Sequence, residues 1–321
     1  MTACLKYRRK EIYFIKEMRP MVNKILECVP NFSEGNNREV IEKIVEPFRR
    51  TDGVKLLDYS ADRDHNRLVV TLIGEPEGLK SSLLGAMEAA VLEIDMNRHR
   101  GEHPRMGAVD VIPFIPVRNV SMEEAVELSR RLAEEAAERF NLPVYLYEAS
   151  ATAPERQNLA NIRKGQFEGF FEKIKLPGWE PDYGPKEVHK TAGVTAIGAR
   201  MPLVAFNVNL ATGNLDIANA IAKRIRHSGG GLRYCKAIGV GLKEKDMVQV
   251  SMNMTDYTKT SLYQSFEMIK MEARRYGVNV AGSELVGILP MQALTDVAAY
   301  YLGLQDFSEK QVLENRLLWG D

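Results

Sequence analysis

Cysteine is scarce in this chain. Cys4, Cys28 and Cys235 are the only three among 321 residues. They form no CxxC pair and no metal-type cluster, and an odd, sparse count does not build a disulfide scaffold. A reducing, cytoplasmic setting is the expectation. Net charge is also missing: 43 basic residues balance 43 acidic ones. No overall positive field exists to hold nucleic acid by its phosphates, although a local basic patch for a small anion is allowed. No apolar run is long enough to span a bilayer. Charges interrupt every apolar stretch of the N-terminus, MTACLKYRRKEIYFIKEMRP, so it lacks the core of a secretion signal. The expected partners are small molecules, not nucleic acid and not membrane. Residues 1–23 are read as a poorly ordered N-terminal extension, with Met18 or Met21 as the native start.

The hydrophobic fraction, 45%, is enough to build a packed core. The length suggests one large domain or two ordinary ones, since single cores seldom exceed about 250–300 residues. Ile25–Val29 is a short apolar strand that runs into PNFSEG. Val40, Ile41, Ile44, Val45 and Phe48 recur at helical spacing, which predicts a helix over 37–50. VKLLDY and RLVVTLIG read as strands around a polar turn, SADRDHN. A long helix is expected over 77–97 and a strand at AVDVIPFIPV. The order is β-α-β-β-α-β, the split arrangement of ferredoxin-like domains. Ser121 and Glu124 make a capping-box pattern ahead of a helix over 122–140, and LPVYLY is a further strand.

Residues 151–192 carry Pro154, Pro177, Pro181 and Pro185 and read as an irregular connector. The second half then repeats the first in outline. PLVAFNVNL is a strand, and Leu215 to Ile225 make a helix. YCKAIGVGL and DMVQVSMNM form a hairpin across KEK. A helix from Leu262 stops at Gly277, VNVAGSELVG is the last strand, and a helix over 290–303 follows. The fold class is therefore α/β (α+β), with two βαββαβ subdomains over 24–180 and 181–321 and a ligand cleft between them.

One loop stands apart. NRHRGEHPRMG, residues 97–107, holds two of the five histidines. His99-x-x-Glu102-His103 matches an inverted zincin pattern. That chemistry needs both imidazoles on one helical face, and Gly101 and Pro104 oppose a helix there. No metal is expected. The loop is longer than most helix-to-strand connections, which marks it as functional. The opposing charges of Glu102 and Arg105 would set a histidine near neutrality. Gly101 and Gly107 would let backbone approach a ligand. Asp110, at the start of the next strand, reads as a solvated strand-end charge that could otherwise orient His103 or Arg105. HSGGGL at 227–232 suits an anion-cradling loop and a helix-to-strand turn equally.

The blocks ECVPNFSEG, GEHPRMGAVDVIPFIPV, PDYGP, GARMPLVAFNVNL and GSELVGILPMQAL, in that order, resemble the glutamate formimidoyltransferase family. The similarity covers residues 24–305 and is closest to the stand-alone bacterial form, without the cyclodeaminase domain that vertebrate members carry. The resemblance implies transfer of a formimidoyl group between L-glutamate and N5 of tetrahydrofolate, in histidine breakdown, with tetrahydrofolate as co-substrate. It implies a catalytic histidine at His103 and a folate segment of Gly184, Pro185, Lys186, Glu187, Val188, His189, Lys190, Thr191, Ala192 and Gly193. It also implies a homodimer. One histidine would serve as acid and base in turn. Carboxylates of the substrates call for arginine forks, and Arg105, Arg67 and Arg200 are the candidates. In the turn after KLLD, Ser60 stands where a vertebrate relative is acidic, so no carboxylate role is assigned there. A formyl donor at the same site, or a folate-binding protein without catalysis, are the alternatives.

Overall fold

The computed structural model describes residues 24–242 and 246–315. The expected extension at 1–23 and the KEK of the second hairpin lie outside the described residues.

In the first unit, β1 (Ile25–Cys28) and β2 (Asn31–Phe32) form one strand interrupted at Pro30. Both pieces pair with β4 (Arg67–Gly74) on one side and β5 (Val109–Arg118) on the other. β3 (Val54–Asp62) closes the edge against β4. Helix α1 (Arg38–Arg50) starts where the Asn37 side chain accepts the Glu39 and Val40 N–H groups. It buries Val40, Ile41, Ile44, Val45 and Phe48, the periodic positions of the sequence. Helix α2 (Pro76–Glu93) packs beside it. It ends earlier than its apolar period suggests because the Asp95 side chain accepts the Asn97 N–H, offering the backbone a turn instead. These elements give the order β3-β4-β1/β2-β5 expected of a ferredoxin-like unit.

The sheet then continues. Helix α3 (Met122–Phe140) begins at the Ser121–Glu124 capping box and leads to β6 (Val144–Glu148). Short helices α4 (Leu159–Arg163) and α5 (Gln166–Lys173) follow, the second burying Phe167 and Phe170. β7 (Thr195–Ala199) inserts between β5 and β6, parallel to both. The expected irregular connector is thus part of the first unit. The units divide at Arg200/Met201 rather than after residue 180. Backbone pairing of TAIGA outweighs the proline-rich composition just before it.

The second unit has its own sheet, with β11 (Val280–Val286), β8 (Val204–Leu210), β10 (Met247–Met254) and β9 (Cys235–Leu242) side by side, all antiparallel. Helices α6 (Leu215–Ile225), α7 (Leu262–Arg275) and α8 (Met291–Leu302) complete it. Read by chain order within each unit, the strand arrangement is the same as in the first, so the repeat inferred from the sequence is one of topology. Each unit has a separate apolar core. Among the described residues, no helix is long and apolar enough to cross a membrane.

Candidate active site

The loop between α2 and β5 is not helical. It is pinned from three directions by hydrogen bonds its own sequence does not announce. Asn66, in the left-handed conformation at φ 48°, donates from Nδ2 to Arg100 O at 2.8 Å, while its Oδ1 accepts the Gly35 N–H at 2.9 Å. The Ser33 hydroxyl donates to Gly107 O at 2.8 Å. On the third side the turn at 189–193 pairs with it: Met96 N–H donates to Thr191 O and Ala108 N–H to Ala192 O, both at 2.8 Å. The loop and the segment assigned to folate are therefore neighbours within the first unit.

The glycines explain how these chains come so close. A Cβ on Gly101 would stand 2.3 Å from His65 O, one on Gly107 2.2 Å from Val194 O, and one on Gly193 2.3 Å from Met106 O. Gly184, at φ 87°, would meet Leu142 O at 2.4 Å. At these glycines neighbouring backbone fills the space a Cβ would take. PDYGP is likewise held structurally. The Asp182 side chain, 8% exposed, pairs with Arg156 at 2.7 Å and accepts the Leu146 N–H at 2.8 Å. The glycines of HSGGGL fold over the last carbonyls of α6, the negative end of the helix, which favours the turn reading over an anion cradle.

His103 is half-buried, and the Arg67 guanidinium contacts both of its ring nitrogens. Arg67 is steadied by donating from Nε to Asn31 Oδ1 at 2.7 Å. Asp110 is 2% exposed, which corrects the solvated reading. Its carboxylate pairs with Arg163 at 2.5 Å, accepts the Met106 N–H at 3.1 Å and lies 4.0 Å from Arg67. Two arginines thus face one carboxylate beside the imidazole. Burial first, then the charges of Arg67 and Arg163, push the His103 pKa down to about 4. The expectation of a value near neutrality, set by Glu102 and Arg105, is not met. Glu102 is exposed to water, and Arg105 turns elsewhere.

Arg105 is buried and fully engaged. It grips Glu168 with both terminal nitrogens, at 2.7 and 2.9 Å, and gives a further bond to Gln166 at 2.9 Å. Its Nε donates to His99 Nδ1 at 3.2 Å, and His99 Nε2 donates to Asn66 O at 2.9 Å. The fork of Arg105 is filled by Glu168. Arg105 braces the loop. His99 has both nitrogens occupied, and desolvation together with Arg105 keeps it neutral. Arg200 follows β7, at the opposite end of that strand from the loop, where it hydrogen-bonds Tyr147. Of the three arginine candidates only Arg67 meets His103. His189 stabilises its own turn, with Nδ1 accepting the Ala192 N–H at 2.9 Å.

Sequence reasoning passed over Asn31, His65 and Arg163. His65 and Arg67 sit in and beside the turn dismissed as polar. Arg163 belongs to the stretch taken as a connector. A small pocket is lined by Ser33, His65, Arg67, His99, His103 and Asp110, with Phe32, Asn66 and Arg105 around them. The pocket, about 10 Å³, sets the Arg67 guanidinium and the Asp110 carboxylate beside the imidazole, an arrangement in which the ring can accept a proton next to a cation.

Comparison with known proteins bears on the whole chain. Residues 25–200 match the model of the formiminotransferase domain, N-terminal subdomain, and residues 205–316 that of the formiminotransferase domain. A glutamate formimidoyltransferase of Streptococcus pyogenes serotype M1 is 57% identical over 92% of this chain and 99% of its own length. One from Thermoplasma acidophilum is 46% identical over 91% and 97%. The formimidoyltransferase-cyclodeaminase of Mus musculus is 45% identical over 87% of this chain, which spans 53% of that longer protein. The chain belongs to the formiminotransferase family.

Proposed function

We propose that this protein transfers a formimidoyl group between L-glutamate and N5 of tetrahydrofolate, as a step of histidine degradation, with His103 moving the proton. The family supports the reaction class, and tetrahydrofolate is the co-substrate. The observation that carries the residue assignment is an imidazole held against the Arg67 guanidinium, beside the Asp110–Arg163 pair, on a loop bonded to the 189–193 turn. Attack of an amine nitrogen on an amidine carbon gives a tetrahedral centre. That centre must shed a proton from the attacking nitrogen and gain one on the departing nitrogen. A neutral imidazole beside the centre accepts the first.

Arg67 is our choice for a substrate carboxylate. A carboxylate that draws its guanidinium away would uncover the His103 lone pair, coupling binding to base activation. Residues 184–193 are the proposed folate segment, with Lys186 and Lys190 offering charge to the glutamate tail. Cytoplasmic location and a homodimer are parts of the same reading, to be checked by fractionation and sedimentation. The deciding assay uses N-formimidoylglutamate and tetrahydrofolate. His103→Gln should lower kcat by about 10²–10⁴ while folate affinity is kept. Near-normal turnover would reject the assignment, and faster turnover with a formyl donor would change the group transferred.

A further inference from the structure

A second imidazole stands at the same pocket. The His65 ring lies 6.4 Å from that of His103, centroid to centroid, with their planes inclined at 63°. It is half-exposed, in the turn between β3 and β4. Its Nδ1 donates to Asp62 Oδ1 at 3.0 Å, and its backbone N–H reaches the same oxygen at 2.8 Å. The carboxylate therefore fixes both the ring's orientation and its tautomer, and among the described residues Nε2 has no hydrogen-bond partner. The two rings approach the pocket from different directions and in different settings. His103 rests against the Arg67 guanidinium, while His65 is backed by the Asp62 carboxylate.

Resting on the transfer reaction proposed above, we infer that His65, oriented by Asp62, is the second proton carrier and serves the departing nitrogen. As the bond from the attacking nitrogen to the amidine carbon forms, His103 takes that nitrogen's proton. As the bond from carbon to the departing nitrogen breaks, the electron pair leaves with that nitrogen and takes the proton of a His65 imidazolium. One proton is gained at His103 and one lost at His65. Exchange with water through the exposed His65 resets both, with no oxidant or further reactant. Dividing the work removes the need for one ring to reach both nitrogens. In the reverse direction the two roles exchange.

The test is the pH dependence of kcat, with tetrahydrofolate binding measured in parallel, for wild type, His65→Gln and Asp62→Asn. His65→Gln should lose about 10²-fold or more in kcat, the scale of one acid–base contribution. It should keep folate affinity within about threefold, and it should lose the fall of kcat toward high pH that marks a required imidazolium. Asp62→Asn, which keeps the turn's hydrogen bonds but not its charge, should also lower kcat while folate binding is kept. A His65→Gln enzyme with kcat within about threefold of wild type overturns the inference. So does an equal loss at every pH with the limb retained, which would mark a structural role. Either result leaves transfer by wild type standing, whereas a wild type without transfer removes the reading on which His65 depends.

Discussion

A guanidinium has only hydrogens to offer, so Arg67 against His103 selects the neutral ring. The sign of the pH effect follows. With a folded value of about 4 against the usual 6.5, the unfolded chain binds the proton more readily. Stability should rise with pH through that window and be free of this penalty above it. The acidic limb of kcat/KM should lie near 4 for the same reason. Arg67→Gln removes one of the depressing charges and should move the limb upward. It should also raise KM for the glutamate substrate about tenfold or more, the scale of one lost charge-assisted bond. An unmoved limb with unchanged KM would separate Arg67 from both roles. Cys28 and Cys235 are buried, and burial pushes both thiols up, Cys235 to about 12. Native protein should leave both unreacted toward a thiol reagent, and denaturant should release them.

The loop that carries His103 is positioned by elements that meet it, and its own helix-to-strand sequence says little about that. Gly193 sits at φ 73° with Met106 O where a Cβ would go. Gly193→Ala should cost about 1–3 kcal/mol in urea unfolding, from backbone strain alone. It should also lower kcat more than any substitution on the outer face of α5, because it displaces the backbone beside His103. A midpoint equal to wild type would mean the turn relaxes freely. The bracing of Arg105 by Glu168 was hidden from the sequence, since the two lie 63 positions apart. The regular elements were legible because their apolar periods and caps are local, as with Asn37 before α1 and Ser121 before α3. β7 was not, because a five-residue strand gives no period and its partners are remote.

At the scale of the molecule, two βαββαβ units with separate cores share one chain. Ile269 is fully buried in the second core. Ile269→Ala should cost that unit about 2–5 kcal/mol. Amide exchange should accelerate across residues 204–286 and stay unchanged in the first sheet; acceleration in both would show that the cores unfold as one. The sequence by itself determined the alternation of elements, the repeated topology, the family and the loop that carries His103. All of these rest on periodicity, capping and short motifs read along the chain. Only the tertiary structure decided which charges surround that histidine. It sent Arg105 to Glu168, brought Arg67, Arg163 and Asp110 together, and set His65 opposite. Contacts between residues tens of positions apart exist only once the sheet has formed, and it is these contacts, not sequence neighbours, that set the burial and field at the imidazole.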